Sequence, residues 1–95
     1  MAFHGFDRVM ACTPADLARW LTELTGTDHG IASGAATLDF DWGTLRIETE
    51  PLPPTRIALL RVRRLRVRFV APLDALAPAR AWIERFDRHT QRGGG

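Results

Sequence analysis

The stretch RIALLRVRRLRVRFV at residues 56–70 decides the fold. In its later part Leu65, Val67 and Phe69 alternate strictly with Arg64, Arg66 and Arg68. That is the period of a β-strand with one oily and one charged face. In its earlier part Leu60 and Val62 have the opposite parity. A period of two cannot change parity in a flat strand, so a bulge, kink or tight turn belongs near Arg63 and Arg64. One bent strand or two strands both satisfy the pattern.

On the N-terminal side, Pro51-Leu52-Pro53-Pro54 is expected to run extended and to end the preceding strand, because proline cannot donate a ladder hydrogen bond. Before it, Thr37 to Asp41 and Leu45 to Glu48 alternate apolar and polar around Trp42-Gly43, the pattern of a hairpin with Leu38, Phe40, Leu45 and Ile47 on one face. Thr13-Pro14 with Asp16 three residues on is a helix start, Leu17, Trp20, Leu21 and Leu24 form one stripe, and Gly26 is the stop. This predicts a helix over 14–25, with Gly26 to Gly34 as a loop and Phe3 to Met10 as a strand. On the C-terminal side, Pro72 closes the arginine-bearing strand. Pro78 predicts a short turn and then a helix over about 78–91, burying Ala79, Trp82, Ile83 and Phe86, with Arg80, Glu84 and Arg88 as a charge ladder.

Two amphipathic helices and a sheet with one apolar face satisfy each other by stacking. The expected fold is therefore α+β: a two-layer sandwich, an antiparallel sheet of about four strands with two helices on one face, in the order β-α-β-β-β-α. Residues 1–91 make one domain and 92–95 a glycine tail, since 95 residues leave no room for a second core. A core this small gains from self-association, so a homodimer is one expectation.

All thirteen basic residues are arginine, and Lys, Asn and Tyr are absent, which points to a GC-rich, bacterial coding sequence. Arginine abundance is then partly a coding habit, and a net charge of +2 says less about nucleic acid than the pI suggests. The charge is nonetheless divided: residues 1–55 carry three arginines against eight acids, net −5, and residues 56–95 carry ten against three, net +7. A lone cysteine, Cys12, and no signal-like N-terminus suggest the cytoplasm. No apolar run approaches the roughly 18 residues of a membrane span, so no membrane partner is expected.

The candidate anion- or nucleic-acid-binding residues are Arg61, Arg63, Arg64, Arg66 and Arg68, because several guanidinium groups on one sheet face suit phosphates. The competing account is neutralisation by Asp39, Asp41, Glu48 and Glu50, which also project outward. Cys12 lies at a helix start, where a thiolate is favoured, but one residue before the cap it is also placed to pack on Leu17. His4, His29 and His89 have no metal-ligand spacing, so neither a cofactor nor a catalytic set is expected.

The element order resembles the double-stranded-RNA-binding domain, whose phosphate clamp is a lysine cluster at the start of the last helix; this chain has Asp74-Ala75-Leu76-Ala77-Pro78 there. With its leading strand it also resembles a shortened START-like helix-grip layout. Pro51 to Arg56 fits the PxxPxR pattern of SH3 ligands, and Arg92 to Gly95 is similar to the tails of ubiquitin-like carriers. The reading that follows is a non-catalytic binding or protein-interaction module. Its alternatives are an arginine-strand binder of nucleic acid or another anion, and a carrier or enzyme with a pocket between helices and sheet near Trp20, Trp42 or Trp82.

Overall fold

A computed structural model describes residues 2–92, leaving aside the side chains of Ala32 and Arg92; of the tail expected at 92–95, Arg92 belongs to the last helix and 93–95 lie outside the described residues. The elements are β1 (Phe3–Met10), α1 (Pro14–Thr25), β2 (Ala35–Phe40), β3 (Gly43–Ile57), β4 (Leu60–Pro72) and α2 (Leu76–Arg92), with 3-10 turns at Ile31–Ser33 and Leu73–Ala75. The strands form one antiparallel sheet in the order β1-β4-β3-β2. The expected α+β sandwich and its element order hold.

The core lies between the helices and one sheet face. From β4, Leu65, Val67, Phe69 and Ala71 enter it at 0–1% exposure, meeting Leu17, Trp20 and Leu21 of α1 and Ala79, Ile83 and Phe86 of α2. Phe69 sits edge-on to Phe86 at 5.1 Å between ring centres, a favoured aromatic geometry. Helix α1 starts as read: the Thr13 hydroxyl accepts from the Asp16 amide at 3.2 Å, the Thr13 amide donates to the Asp16 carboxylate at 3.0 Å, and Gly26 ends the helix at φ 77°. Pro78 lies inside α2 rather than at its start, in the first turn where no intrahelical amide donor is required. The connector at 26–34 is anchored by Ile31, which is 2% exposed.

Two expectations are corrected. Pro51-Leu52-Pro53-Pro54 does not end β3, which continues to Ile57. The irregularity expected near Arg63 and Arg64 is present, but on the partner strand: Leu52 pairs with Arg64 and Thr55 with Val62, so Pro53 and Pro54 together oppose Arg63. A bulge is where a ladder accommodates prolines, since the extra residue makes no ladder bond. The parity slip has a second cause. Helices cover β4 only from Leu65 onward, so Leu60 to Arg63 are released from the burial pattern.

Beyond the pairing of Met10 with Leu65 on one side and Ala35 with Glu48 on the other, β3 and β4 have only each other as partners. They run on as a two-stranded ribbon, contributing to the 46 Å long dimension of a molecule 27 × 24 Å in cross-section. The ribbon closes through Ala58 and Leu59, with Ala58 at φ 55°, the positive φ that two-residue hairpin turns take at their first central position.

The two regions should respond oppositely to truncation. Phe69→Ala is expected to cost roughly 3–5 kcal/mol in urea unfolding. Leu59→Ala, at a residue 101% exposed, should stay within about 0.5 kcal/mol.

Candidate functional site

Alternation along β4 sorts the five candidate arginines into two groups. Arg64, Arg66 and Arg68 lie opposite Leu65, Val67 and Phe69, on the face the helices leave open. Arg61 and Arg63 have the other parity and fall on the helix-side face of the ribbon, past the end of the core. The five therefore do not make one row, and Arg56, directly opposite Arg61 in the ladder, joins the second group.

The open-face group is largely neutralised. Arg66 lies 3.5 Å from Glu50 on β3, and Arg68 lies 3.7 Å from Asp7 on β1. Arg68 reaches β1 by lying across Gly5, where a Cβ would stand 2.7 Å from its Nε. Arg64 donates to the Thr55 hydroxyl at 3.1 Å. Of the four acids expected to oppose the row, Glu50 and Glu48 stand on the rungs of Arg66 and Arg68, but the Glu48 carboxylate turns to Arg46 at 2.9 Å, and Asp39 accepts from the Thr44 hydroxyl at 2.9 Å. The strand order keeps Asp39 and Asp41 from the row, since β2, with Asp39 and the following Asp41, is separated from β4 by β3. Asp7 joins the site through the register of β1 on β4, which no local spacing reveals.

The ribbon group is different. Among the described residues Arg56, Arg61 and Arg63 take part in no ion pair, and residues 51–64 hold four arginines and no acid. The ribbon thus carries +4, against −2 for the remainder of a chain whose net charge is +2. Like charges directly opposite on a ladder are destabilising, and the rung of Arg56 with Arg61 is such a pair. At the ribbon's end Ile57, Leu59 and Leu60 are 59%, 101% and 68% exposed.

Elsewhere an unread contact joins the layers: Arg8 of β1 turns toward the helices, ion-pairs with Asp87 of α2 and lies over the Phe69 ring at 5.3 Å. His89 and Glu23 link α2 to α1 at 2.8 Å. No ion pair forms along Arg80, Glu84 and Arg88, and the Arg80 guanidinium instead lies 5.7 Å from the Phe6 ring. A hollow of about 670 Å³ lies on the open sheet face beside Phe3, Trp42, Val70 and Pro72, not between the layers. A smaller hollow of about 330 Å³ opens at the edge of the helix layer beside His29, Phe40 and Trp82.

Cys12 is buried in the core with Leu17, and its pKa is raised to about 11 by burial and by the neighbouring Asp16 carboxylate. The nearby acid and the dry surroundings outweigh the helix terminus, so at neutral pH the group is a packed thiol. Among the described residues no helix is long and apolar enough to cross a membrane, and there is no group of three or more His, Cys, Asp or Glu able to bind a metal. No protein-family model, curated protein or solved structure matches the chain.

Two measurements follow. Cys12 should react with a thiol reagent at pH 8 only on unfolding, so labelling tracks denaturant. The Thr13 amide holds the Asp16 carboxyl below the usual carboxylate range, so its contribution is present above the unfolded pKa and lost as pH falls through the folded one. The Asp16→Asn protein should be less stable than wild type at pH 6 and converge with it below the folded pKa.

Proposed function

We propose that the chain is a non-catalytic binding module whose working part is the free β3–β4 ribbon, and that the ribbon engages an acidic partner. The observation that carries this is the rung of Arg56 against Arg61 within an acid-free segment bearing +4. On the open sheet face the neighbouring strands set Asp7 and Glu50 against Arg68 and Arg66, and Glu48 lies beside Arg46, whereas the ribbon holds no acid. Uncompensated guanidinium groups on a projecting element supply the paired donors that phosphate or carboxylate groups accept. Projection from the body also lets the ribbon approach an extended anionic surface without bringing up the acidic remainder.

A second reading, a homodimer through the open sheet face, is favoured by the charge columns there. A two-fold axis running along the strands between β3 and β4 would lay Arg66 and Arg68 of one copy over Glu50 and Glu48 of the other, an isologous arrangement. Sedimentation equilibrium at micromolar concentration checks it: a dimer that dissociates with added salt is expected, and a monomer at all concentrations removes it.

The acidic-partner reading is checked on immobilised heparin. Replacing Arg56, Arg61 and Arg63 together by Gln should lower the eluting salt markedly, whereas replacing Arg66 and Arg68 should lower it much less, since those charges are already paired. Equal effects of the two sets would assign binding to net charge and overturn the reading.

A further inference from the structure

We infer that the ribbon docks on the surface of an anionic lipid bilayer, its end entering the headgroup region and its arginines meeting lipid phosphates and carboxylates. This rests on the acidic-partner reading above and names the partner. The ribbon presents two features that a partner must accommodate together. Ile57-Ala58-Leu59-Leu60 is an unbroken aliphatic run, every member exposed, at the extreme end of the element. Immediately behind it stands the rung of Arg56 and Arg61, followed on β4 by Arg63 and Arg64.

Strand spacing sets the depths. Each rung lies about 3.3 Å from the next, so the arginines begin one rung behind Ile57 and Leu60 and extend roughly 10 Å further back. Interfacial elements bury their apolar part by about 5–10 Å. A ribbon entering end-on to that depth immerses the aliphatic run and holds Arg56 and Arg61 at the level of the phosphates, where long basic side chains place their charge. The pairing of Ile57 with Leu60 closes the turn, so little backbone is carried in without a ladder partner.

Other partners fit one feature and leave the other unexplained. A phosphodiester backbone would satisfy the arginines, but residues 51–64 contain no aromatic ring on which bases stack, and the aliphatic end would remain in water. A second copy meeting end to end would cover the aliphatic run but would bring two ribbons of +4 together. The absence of a membrane-spanning run leaves surface docking unaffected.

The test is co-sedimentation of the full chain with vesicles of phosphatidylcholine alone and of phosphatidylcholine mixed with phosphatidylserine, with single-stranded and duplex DNA binding measured in parallel. Binding to the mixed vesicles only, falling with salt, is expected. Arg61→Gln should weaken it about fivefold. Leu59→Ser, at a position whose exposure keeps the fold intact, should weaken it by about tenfold or more. Mixed-vesicle binding indifferent to Leu59→Ser would overturn insertion. DNA binding without vesicle binding would overturn the lipid assignment and leave the acidic-partner reading standing, and binding to neither would remove both.

Discussion

Leu65, Val67, Phe69 and Ala71 share one side of a strand that is paired along both edges, and both helices settle on that side. Because β4 is interior to the sheet, its alternation cannot slip by one residue without sending four apolar side chains into water and three arginines into the core. This constraint places everything else. It sets β1 so that Phe6 and Met10 lie beside Phe69 and Leu65, it sets β3 so that Ile47 lies beside Phe69, and it fixes which arginines face solvent on the open side. The charge imbalance between the two halves of the chain is then partly discharged across the sheet, through Asp7 with Arg68 and Glu50 with Arg66.

The same constraint ends where the helices end. Past Leu65 nothing demands an oily face, and the ribbon carries a sequence the core would reject: arginines on the parity that elsewhere holds Val67 and Phe69, and aliphatic residues in the turn. Two chemistries therefore occupy one pair of strands. The inner segment is organised by burial and is electrically balanced against its neighbours, while the outer segment is organised only by ladder hydrogen bonds and carries unbalanced charge.

Local signals were legible in the residues. The cap at Thr13, the stop at Gly26, the hairpin around Trp42 and the stripe on α2 all depend on contacts within a few positions, and each appears where its spacing puts it. What was not legible depends on partners distant in sequence. Residues 51–54 read as a strand terminator because proline lacks a donor, yet a bulge opposite Arg63 absorbs the defect, and only knowledge of the register reveals that. The five arginines read as one cluster because parity was clear within 64–68 and ambiguous before it. The roles of Asp7 and Arg8 are hidden for the same reason, since their partners Arg68 and Asp87 lie more than 60 positions away. The available signal was the parity slip itself: it marked the place where burial stops governing β4.

Pro51, Pro53 and Pro54 fall on the stretch of β3 that pairs with β4 along one edge and, past the end of β2, has no strand along the other. A bare rail of amides would be an invitation to any passing extended chain, and a hydrophobic tip would deepen the invitation. Proline has no amide to offer and a bulge breaks the regular spacing of the ladder, so this stretch is a poor template for a further strand. The feature that reads as a break in the strand thus blunts the open edge of a projection whose end is apolar.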